Sequence, residues 1–341
     1  MPSPALRCAE VLEIFRQQDG CPVDWPDDWV AHGTPMVRRE STVCRLKSAA
    51  SGRSICVKMV HLKPNGTENS GSLFAALCHY HARSDHQAGF TVPQPFGWVP
   101  QHRAVIMEWV EGLNFNDILK RERWSARRRH EHIRKAAGWL RWFHGQSEME
   151  TSSLVKRIKL KSIVKTLNDH PEVDAAVKAH DPALREFLEV AKKASKQVVA
   201  TEMDFVDLHG DFKLTNLLIA SNGHIVGIDF KGEGRGAISH DICRFLSDLD
   251  FHHNVVGRSF ALEETSPAND FTAFLSAYGG RMAKLGREPF LFLYFLTILR
   301  GLVHQRRKFT SGIGFRLRQA VMRRLAKKLS REVTRRLVKT P

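Results

Sequence analysis

Hydrophobic positions in the first hundred or so residues come in short β-type runs rather than helical stripes. MVRR, STVCRLK and SICVKMV read as strands, the last two joined by the small-residue turn SAASGR. PFGWVP and AVIMEWV form a further pair with a tight turn near Gln101–Arg103. Ala5–Gln17 reads as a leading helix, followed by the Pro/Trp/Asp-rich link CPVDWPDDWVAHGTP, and residues 67–88 read as another helix. Beyond Glu111–Gly112 the period becomes helical: ARRRHEHIRKAAGWLRWFHG places Ile133, Ala137, Leu140, Trp142 and Phe143 near one face. Pro182–Val199 continues the helical pattern, and NLLIA and HIVGIDF interrupt it as a hairpin turning at Ser221–Asn222–Gly223. From Ser239 onward the chain reads as helix.

The pattern predicts an α+β protein of two lobes, with a small antiparallel β-sheet and one helix in the first and a larger, mainly helical second. Its expected segments are a leading helix and linker (1–33), a β-rich lobe (34–110), a helical lobe (111–300) and a C-terminal helix (301–341), with a hinge near 108–112. With 341 residues, 43% of them hydrophobic, the chain is long enough for such cores, and its composition excludes collagen-like or wholly disordered classes. Six scattered cysteines form neither a C-x-x-C pair nor a disulfide framework, and the N-terminus lacks the apolar core of a secretory signal. The expected location is therefore cytoplasmic. The longest apolar run, FLFLYFLTIL, stops at Arg300 and is too short for the roughly 20 residues of a membrane span, so a buried helix is expected there.

The net charge of +16 is unevenly spread. Residues 301–341 hold thirteen Lys/Arg and one acid, and so carry twelve of the sixteen positive charges.

The chemistry concentrates in LHGDFKLTNLLIASNGHIVGIDF, residues 208–230, where Asn216 follows Asp211 by five positions and Asp229 follows a hairpin. Phosphoryl transfer from ATP needs one carboxylate to take the acceptor's proton, and an amide oxygen and second carboxylate to hold Mg²⁺ against the phosphates. A loop running into a hairpin can bring three such groups together. By average residue usage H-G-D-x4-N arises by chance in roughly one chain of this length in a thousand.

The segment resembles the H-G-D-x4-N … I-D-[FW] signature of the aminoglycoside phosphotransferase and choline kinase superfamily, which shares the protein-kinase-like fold. The likeness extends over about residues 34–300 and implies ATP and Mg²⁺ as cofactors and a small-molecule hydroxyl as acceptor. It implies Asp211 as catalytic base, Asn216 and Asp229 as metal ligands, and Lys58 as phosphate anchor. The backbone of Glu108 and Val110 would pair with adenine, while His209 and Asp241 would support the catalytic loop. An Asp at a helix start accepts backbone N–H groups. His209 also reads as a packed core histidine, and Lys58 as an edge-strand lysine facing water.

Three departures from the family pattern stand out. Arg38-Arg39-Glu40-Ser41-Thr42 replaces a glycine-rich phosphate loop, leaving Ser41 and Thr42 as phosphate-binding candidates. Glu68 is the available acid to pair with Lys58, ten residues on. Lys213 stands two after Asp211, where many relatives have His; it is expected to meet the γ-phosphate, the alternative being a solvated loop lysine. The first two departures keep a second reading open, a kinase-like nucleotide-binding module with little or no turnover.

Cys78, His79, His81 and His86 do not converge as metal ligands on a helix. Lys120–Lys135 holds eight Lys/Arg against two Glu, and Lys156–Lys165 five with no acid, which argues against a polycationic aminoglycoside and for a neutral or anionic sugar or lipid-linked acceptor. Solvated helix faces explain the outermost arginines equally. The tail, with Leu317, Val321, Leu325, Leu329, Val333 and Leu337 on one arc, reads as a helix docked on the helical lobe or, less favoured, as residues 313–339 lying on an anionic membrane surface. The second alternative would seat the protein on the inner face of the membrane. Nucleic acid is disfavoured because no aromatics interleave the charge.

Overall fold

The computed structural model describes residues 3–38, 40–61, 70–122, 124–153, 182–198, 201–230, 234–253, 270–279, 287–306 and 313–338. Its strands in chain order are β1 (Trp29–Ala31), β2 (Met36–Val37), β3 (Ser41–Ser48), β4 (Ser54–Val60), β5 (Phe90–Thr91), β6 (Pro95–Val99), β7 (Ala104–Glu108), β8 (Gly112–Asn114), β9 (Glu150–Ser153), β10 (Glu202–Asp207), β11 (Leu217–Ala220), β12 (Ile225–Gly227) and β13 (Arg235–Ala237). The helices are α1 (Pro4–Arg16), α2 (Ser70–His81), α3 (Phe115–Arg121), α4 (Ala126–Gly145), α5 (Pro182–Val198), α6 (Ser239–His253), α7 (Asp270–Tyr278), α8 (Arg287–Arg306) and α9 (Ile313–Val333), the last continued by a wider turn over Thr334–Val338.

The chain divides into two compact units, Met1–Asn114 with Asn216–Gly234, and Phe115–Thr215 with Arg235–Pro341. In the first, β1-β3-β4-β7-β6 form a sheet with β2 added on β3, and β5-β12-β11-β8 form a second. The expected boundary at 110/111 moves to 114/115, because Gly112–Asn114 pair antiparallel with β11. The hairpin over 217–227 belongs to this unit as well, paired to β5 through β12.

The leading helix is part of the first unit's core rather than a separate segment. Cys8, Val11, Leu12 and Phe15 recur at helical spacing, are buried, and pack against the first sheet with Leu46, Ile55, Val57 and Val99. Ser3 caps the helix by accepting from the Leu6 amide at 3.2 Å. Phe15 lies so close to Gly97 of β6 that a Cβ there would sit 2.1 Å from its Cε2. Gly97→Ala is accordingly expected to destabilise the protein by about 1–3 kcal/mol through forced repacking. A denaturant melt of the variant beside wild type checks this, and an unchanged midpoint would contradict it.

The helix expected over 67–88 ends at His81, its first three residues lying outside the described set. Asp85 stops any continuation: its backbone exchanges hydrogen bonds with Phe90 at 2.9 Å, and its carboxylate accepts from the Ala88 amide at 2.8 Å. His86 therefore does not share a helix with His79. Among the described residues no cluster of three or more His, Cys, Asp or Glu could hold a metal.

In the second unit, α8 runs through the apolar sequence that ends at Arg300, with Phe290, Leu291, Phe292, Tyr294, Phe295, Ile298 and Leu299 buried. Among the described residues no helix is long and apolar enough to cross a membrane. The tail helix α9 packs on α8, α5 and α6, burying Met322, Leu325, Ala326, Leu329 and Val333. Its apolar arc from Met322 onward is thus covered by the protein, while Leu317 near the helix start is 61% exposed. Arg316, Arg323, Arg324, Lys327 and Arg331 stay exposed on the other side.

Candidate active site

The loop from His209 to Asn216 leaves β10 and is held from beneath by buried groups of the second unit. Gly210 has φ +80°, a conformation that a side chain would strain, which accounts for glycine between His209 and Asp211. Asp241, fully buried in the first turn of α6, accepts from the His209 amide at 2.7 Å and the Gly210 amide at 3.0 Å. From the start of its helix Asp241 thus reaches across to the loop's backbone amides.

Burial alone would raise the Asp241 carboxyl. Hydrogen bonding with His144 and His240 outweighs burial and holds it well below the usual carboxylate range. His144 Nε2 lies 3.2 Å from Asp241 and its Nδ1 2.8 Å from the Tyr278 hydroxyl, so α4, α6 and α7 share one polar buried link.

The loop's remaining support is aromatic. Phe212 stacks between Trp139 of α4, at 5.7 Å and 8°, and Phe245 of α6, at 5.2 Å. The buried His209 ring meets Trp139 and Phe212 edge-on. Leu214 donates its amide to Asp248 at 3.1 Å, and Asp211 its amide to His209 Nδ1 at 3.4 Å.

Asp211 itself is three-quarters buried, with a cation on each oxygen. Lys213 Nζ lies 2.5 Å from Oδ2, and the Arg244 guanidinium lies 3.2 Å and 3.3 Å from Oδ1. Lys213 is therefore neither a solvated loop lysine nor directed away from the carboxylate.

In the first unit, Lys58 lies in a strand paired on both sides, opposite Val43 of β3 and opposite Val105 of β7. Its ammonium is largely buried and meets Asp229 Oδ1 at 2.6 Å. Asp229 has φ +62°, in the left-handed region where a non-glycine residue costs on the order of 1 kcal/mol. Its second oxygen faces Arg38 at 3.6 Å. The acid that Lys58 meets among the described residues is thus the one just past the hairpin; Glu68 lies outside the described residues. Asn216 is buried, and its carbonyl accepts from the Ile228 amide at 2.9 Å, tying it to the residue before Asp229.

Ser41 and Thr42 begin β3 as buried residues, and the Thr42 hydroxyl is engaged by His61 Nε2 at 2.9 Å. They are built into the strand rather than presented on a loop. At the end of β7, Glu108 donates its amide to Gln94 at 2.8 Å while Trp109 donates to Ser54 at 3.2 Å. Alternation along an extended chain turns the backbone of Glu108 and Val110 to the side opposite Ser54.

A family model described as the phosphotransferase enzyme family matches residues 46–279. The chain belongs to the phosphotransferase enzyme family. No curated protein matches the sequence significantly. Among solved structures it is similar to an ethanolamine kinase from Plasmodium vivax, at 12% identity and TM-score 0.58, over 90% of this chain and 85% of the other. It is also similar to the choline kinase LicA from Streptococcus pneumoniae, at 12% identity and TM-score 0.57, over 90% and 95%. The AMP-bound spectinomycin phosphotransferase APH(9)-Ia aligns at 13% identity and TM-score 0.54, over 99% and 96%. These likenesses show a common fold, the kinase-like fold of these phosphotransferases.

Arg244, Asp248 and His144 carry no role in the motif. A signal for Arg244 was present: in SHDICRFL it stands three residues after Asp241, one helical turn along the helix that braces the loop.

Proposed function

We propose that this member of the phosphotransferase enzyme family moves the γ-phosphate of ATP to a hydroxyl of a small molecule, a neutral or anionic sugar or lipid-linked acceptor rather than an aminoglycoside. The observation that carries the reading is the pairing of Lys58 with Asp229, 2.6 Å apart and 171 positions distant in sequence. A cation suited to hold phosphate and a carboxylate suited to hold a metal ion balance each other's charge here, and these two residues would hold the two charged parts of MgATP. In that reading Lys58 meets the phosphates and the backbone edge at Glu108 and Val110 meets adenine.

Asp229 and Asn216 would hold Mg²⁺. Their donors are hard oxygens only, which suits an ion that completes its shell from water and phosphate. The ion supplies charge neutralisation on the phosphate oxygens.

Asp211 accepts the proton as the acceptor's O–H bond breaks. The freed oxygen bonds to the γ-phosphorus, and the bond from that phosphorus to the β–γ bridging oxygen breaks, so ADP leaves with the electron pair. Lys213, already on Asp211, would face the transferred group as a point charge. Asp241 and His209 fix the loop that carries Asp211.

The acceptor class follows from charge. The cations beside Asp211 and the exposed Arg127, Arg128 and Arg134 of α4 disfavour a polycation. Arg129 of the same stretch takes no part, because it is buried in an ion pair with Asp270, and the Lys156–Lys165 stretch lies outside the described residues.

The test is transfer of labelled γ-phosphate from MgATP to a panel of sugars, lipid-linked sugars, amino alcohols and aminoglycosides, with Lys58→Met as control. Transfer is expected to a sugar or lipid-linked sugar. Lys58→Met is expected to lower kcat/KM for ATP by about 10²–10³, the effect of losing one charge-stabilising group. Undiminished transfer by Lys58→Met would overturn the assignment, and MgATP binding with no product from any acceptor would favour a nucleotide-binding module instead.

A further inference from the structure

Register divides the side chains of the first sheet between two faces. Residues directly opposite in an antiparallel pair share a face, as do alternate residues along one strand. Cys44 and Leu46 of β3, Ile55 and Val57 of β4, and Ala104 and Ile106 of β7 lie on the face that packs against α1. Arg45, Cys56, Lys58 and Met107 lie on the other. Arg45 therefore shares its face with the Lys58 ammonium, two positions along β3 from Val43, the residue opposite Lys58.

From that face Arg45 reaches past β4 to the segment that follows β7. Its Nη2 donates to the Ser54 hydroxyl at 3.2 Å and pairs with the Glu111 carboxylate. Its guanidinium carbon lies 5.2 Å from the centroid of the Trp109 ring. One guanidinium thus engages the residues on either side of Val110. Glu108 is held separately by Gln94: the Glu108 amide donates to the Gln94 carbonyl at 2.8 Å, and the Glu108 carboxylate accepts from the Gln94 amide at 3.2 Å.

As a stabilising contact the Arg45–Glu111 pair does little, because Glu111 is 57% exposed and water screens such a pair. What it fixes is direction. With Trp109 and Glu111 both tied to one side chain, the two peptide units of Val110 between them cannot turn freely. Adenine offers an N–H donor beside a ring-nitrogen acceptor, where guanine offers an acceptor beside a donor. A carbonyl-and-amide edge held in one direction pairs with the first and opposes the second.

We infer that Arg45 is a positioning residue for the nucleobase, holding the backbone of Val110 through Trp109 and Glu111 in the direction that selects adenine over guanine. The inference rests on the phosphotransferase reading, in which the edge at Glu108 and Val110 meets adenine, and adds to it the side chain that sets base selectivity.

The full-length protein is titrated calorimetrically with MgATP, MgGTP and magnesium tripolyphosphate, which has no base. Wild type is expected to bind MgATP more tightly than MgGTP. Arg45→Met is expected to weaken MgATP about tenfold, as for the loss of a hydrogen bond or two to the base, to leave tripolyphosphate within twofold, and so to narrow the preference for ATP over GTP. Arg45→Lys keeps a cation for Glu111 and Trp109 and is expected to restore part of the loss. Lys58→Met is expected to weaken tripolyphosphate as well. Should Arg45→Met fail to fold when melted without ligand, Glu111→Gln, altered at a largely exposed side chain, carries the same test with a several-fold selective loss of MgATP. Equal losses for all three ligands would make Arg45 purely structural and overturn the inference, as would MgATP binding within twofold of wild type or an unchanged preference for ATP over GTP. Failure of wild type to bind MgATP at all would fell the phosphotransferase reading and the inference with it, whereas the preceding outcomes fell the inference alone.

Discussion

Asp211→Asn is expected to lower kcat for phosphate transfer about a thousandfold while leaving the affinity for MgATP within a few-fold of wild type. A positioned general base contributes about 10²–10⁴ in rate, and Asn retains the size of Asp without its capacity to take a proton. The site also depends on that charge electrostatically, because Lys213 and Arg244 both point at the carboxylate. Removing it leaves two cations facing a neutral amide, so raising the pH cannot rescue the variant. Single-turnover transfer of labelled phosphate, beside equilibrium binding of MgATP, reads the two quantities separately. Transfer by Asp211→Asn within tenfold of wild type would remove Asp211 from the mechanism.

Asp241→Ala is expected to cost about 3–5 kcal/mol of stability, the range for breaking a buried ionic group while its partners stay behind. The amides of His209 and Gly210 and the Nε2 of His144 would all lose the same acceptor. Asp241→Asn is expected to be intermediate, because its amide nitrogen must face one of those N–H groups. The sign of the pH dependence follows from the lowered pKa. A carboxyl held below its unfolded value contributes stability that is full above about pH 4 and lost as the pH falls toward the folded value. The gap between wild type and Asp241→Ala is thus widest at neutral pH and closes in acid. Denaturant titrations at pH 7 and below pH 4 check this, and a gap of under about 1 kcal/mol at pH 7 would show that the link does not carry the loop.

The strands around Lys58, the hairpin at Ser221–Asn222–Gly223 and the loop His209–Asn216 were legible because their signals are local. Turn residues, β-type runs and a short spacing of polar groups each act within a few positions. What was not legible acts over long sequence distances. Asp229, which meets Lys58 from 171 positions away, is brought to it by β11 and β12, a pairing no short-range pattern could announce. Periodicity picked out Ile133, Ala137, Leu140, Trp142 and Phe143 on α4 but passed over Trp139. Trp139 is fully buried because the helix is covered on more than one face, including the one beneath Phe212. The covered arc of α9 was legible as amphipathic, but an amphipathic arc alone does not say whether lipid or protein meets it.

The route of the chain also bears on how the first unit is made. Its second sheet has the order β5-β12-β11-β8, so the two outer strands emerge early in synthesis and the two central ones do not exist until residues 217–227 have been added. An N-terminal fragment ending at Asn114 would carry β5 and β8 with neither of their partners, and would lack Asp229 opposite Lys58. Such a fragment would keep the first sheet with α1 packed on it and only the two outer strands of the second. Its completion waits on part of the helical unit's chain being threaded first, a long-range pairing of the slow kind.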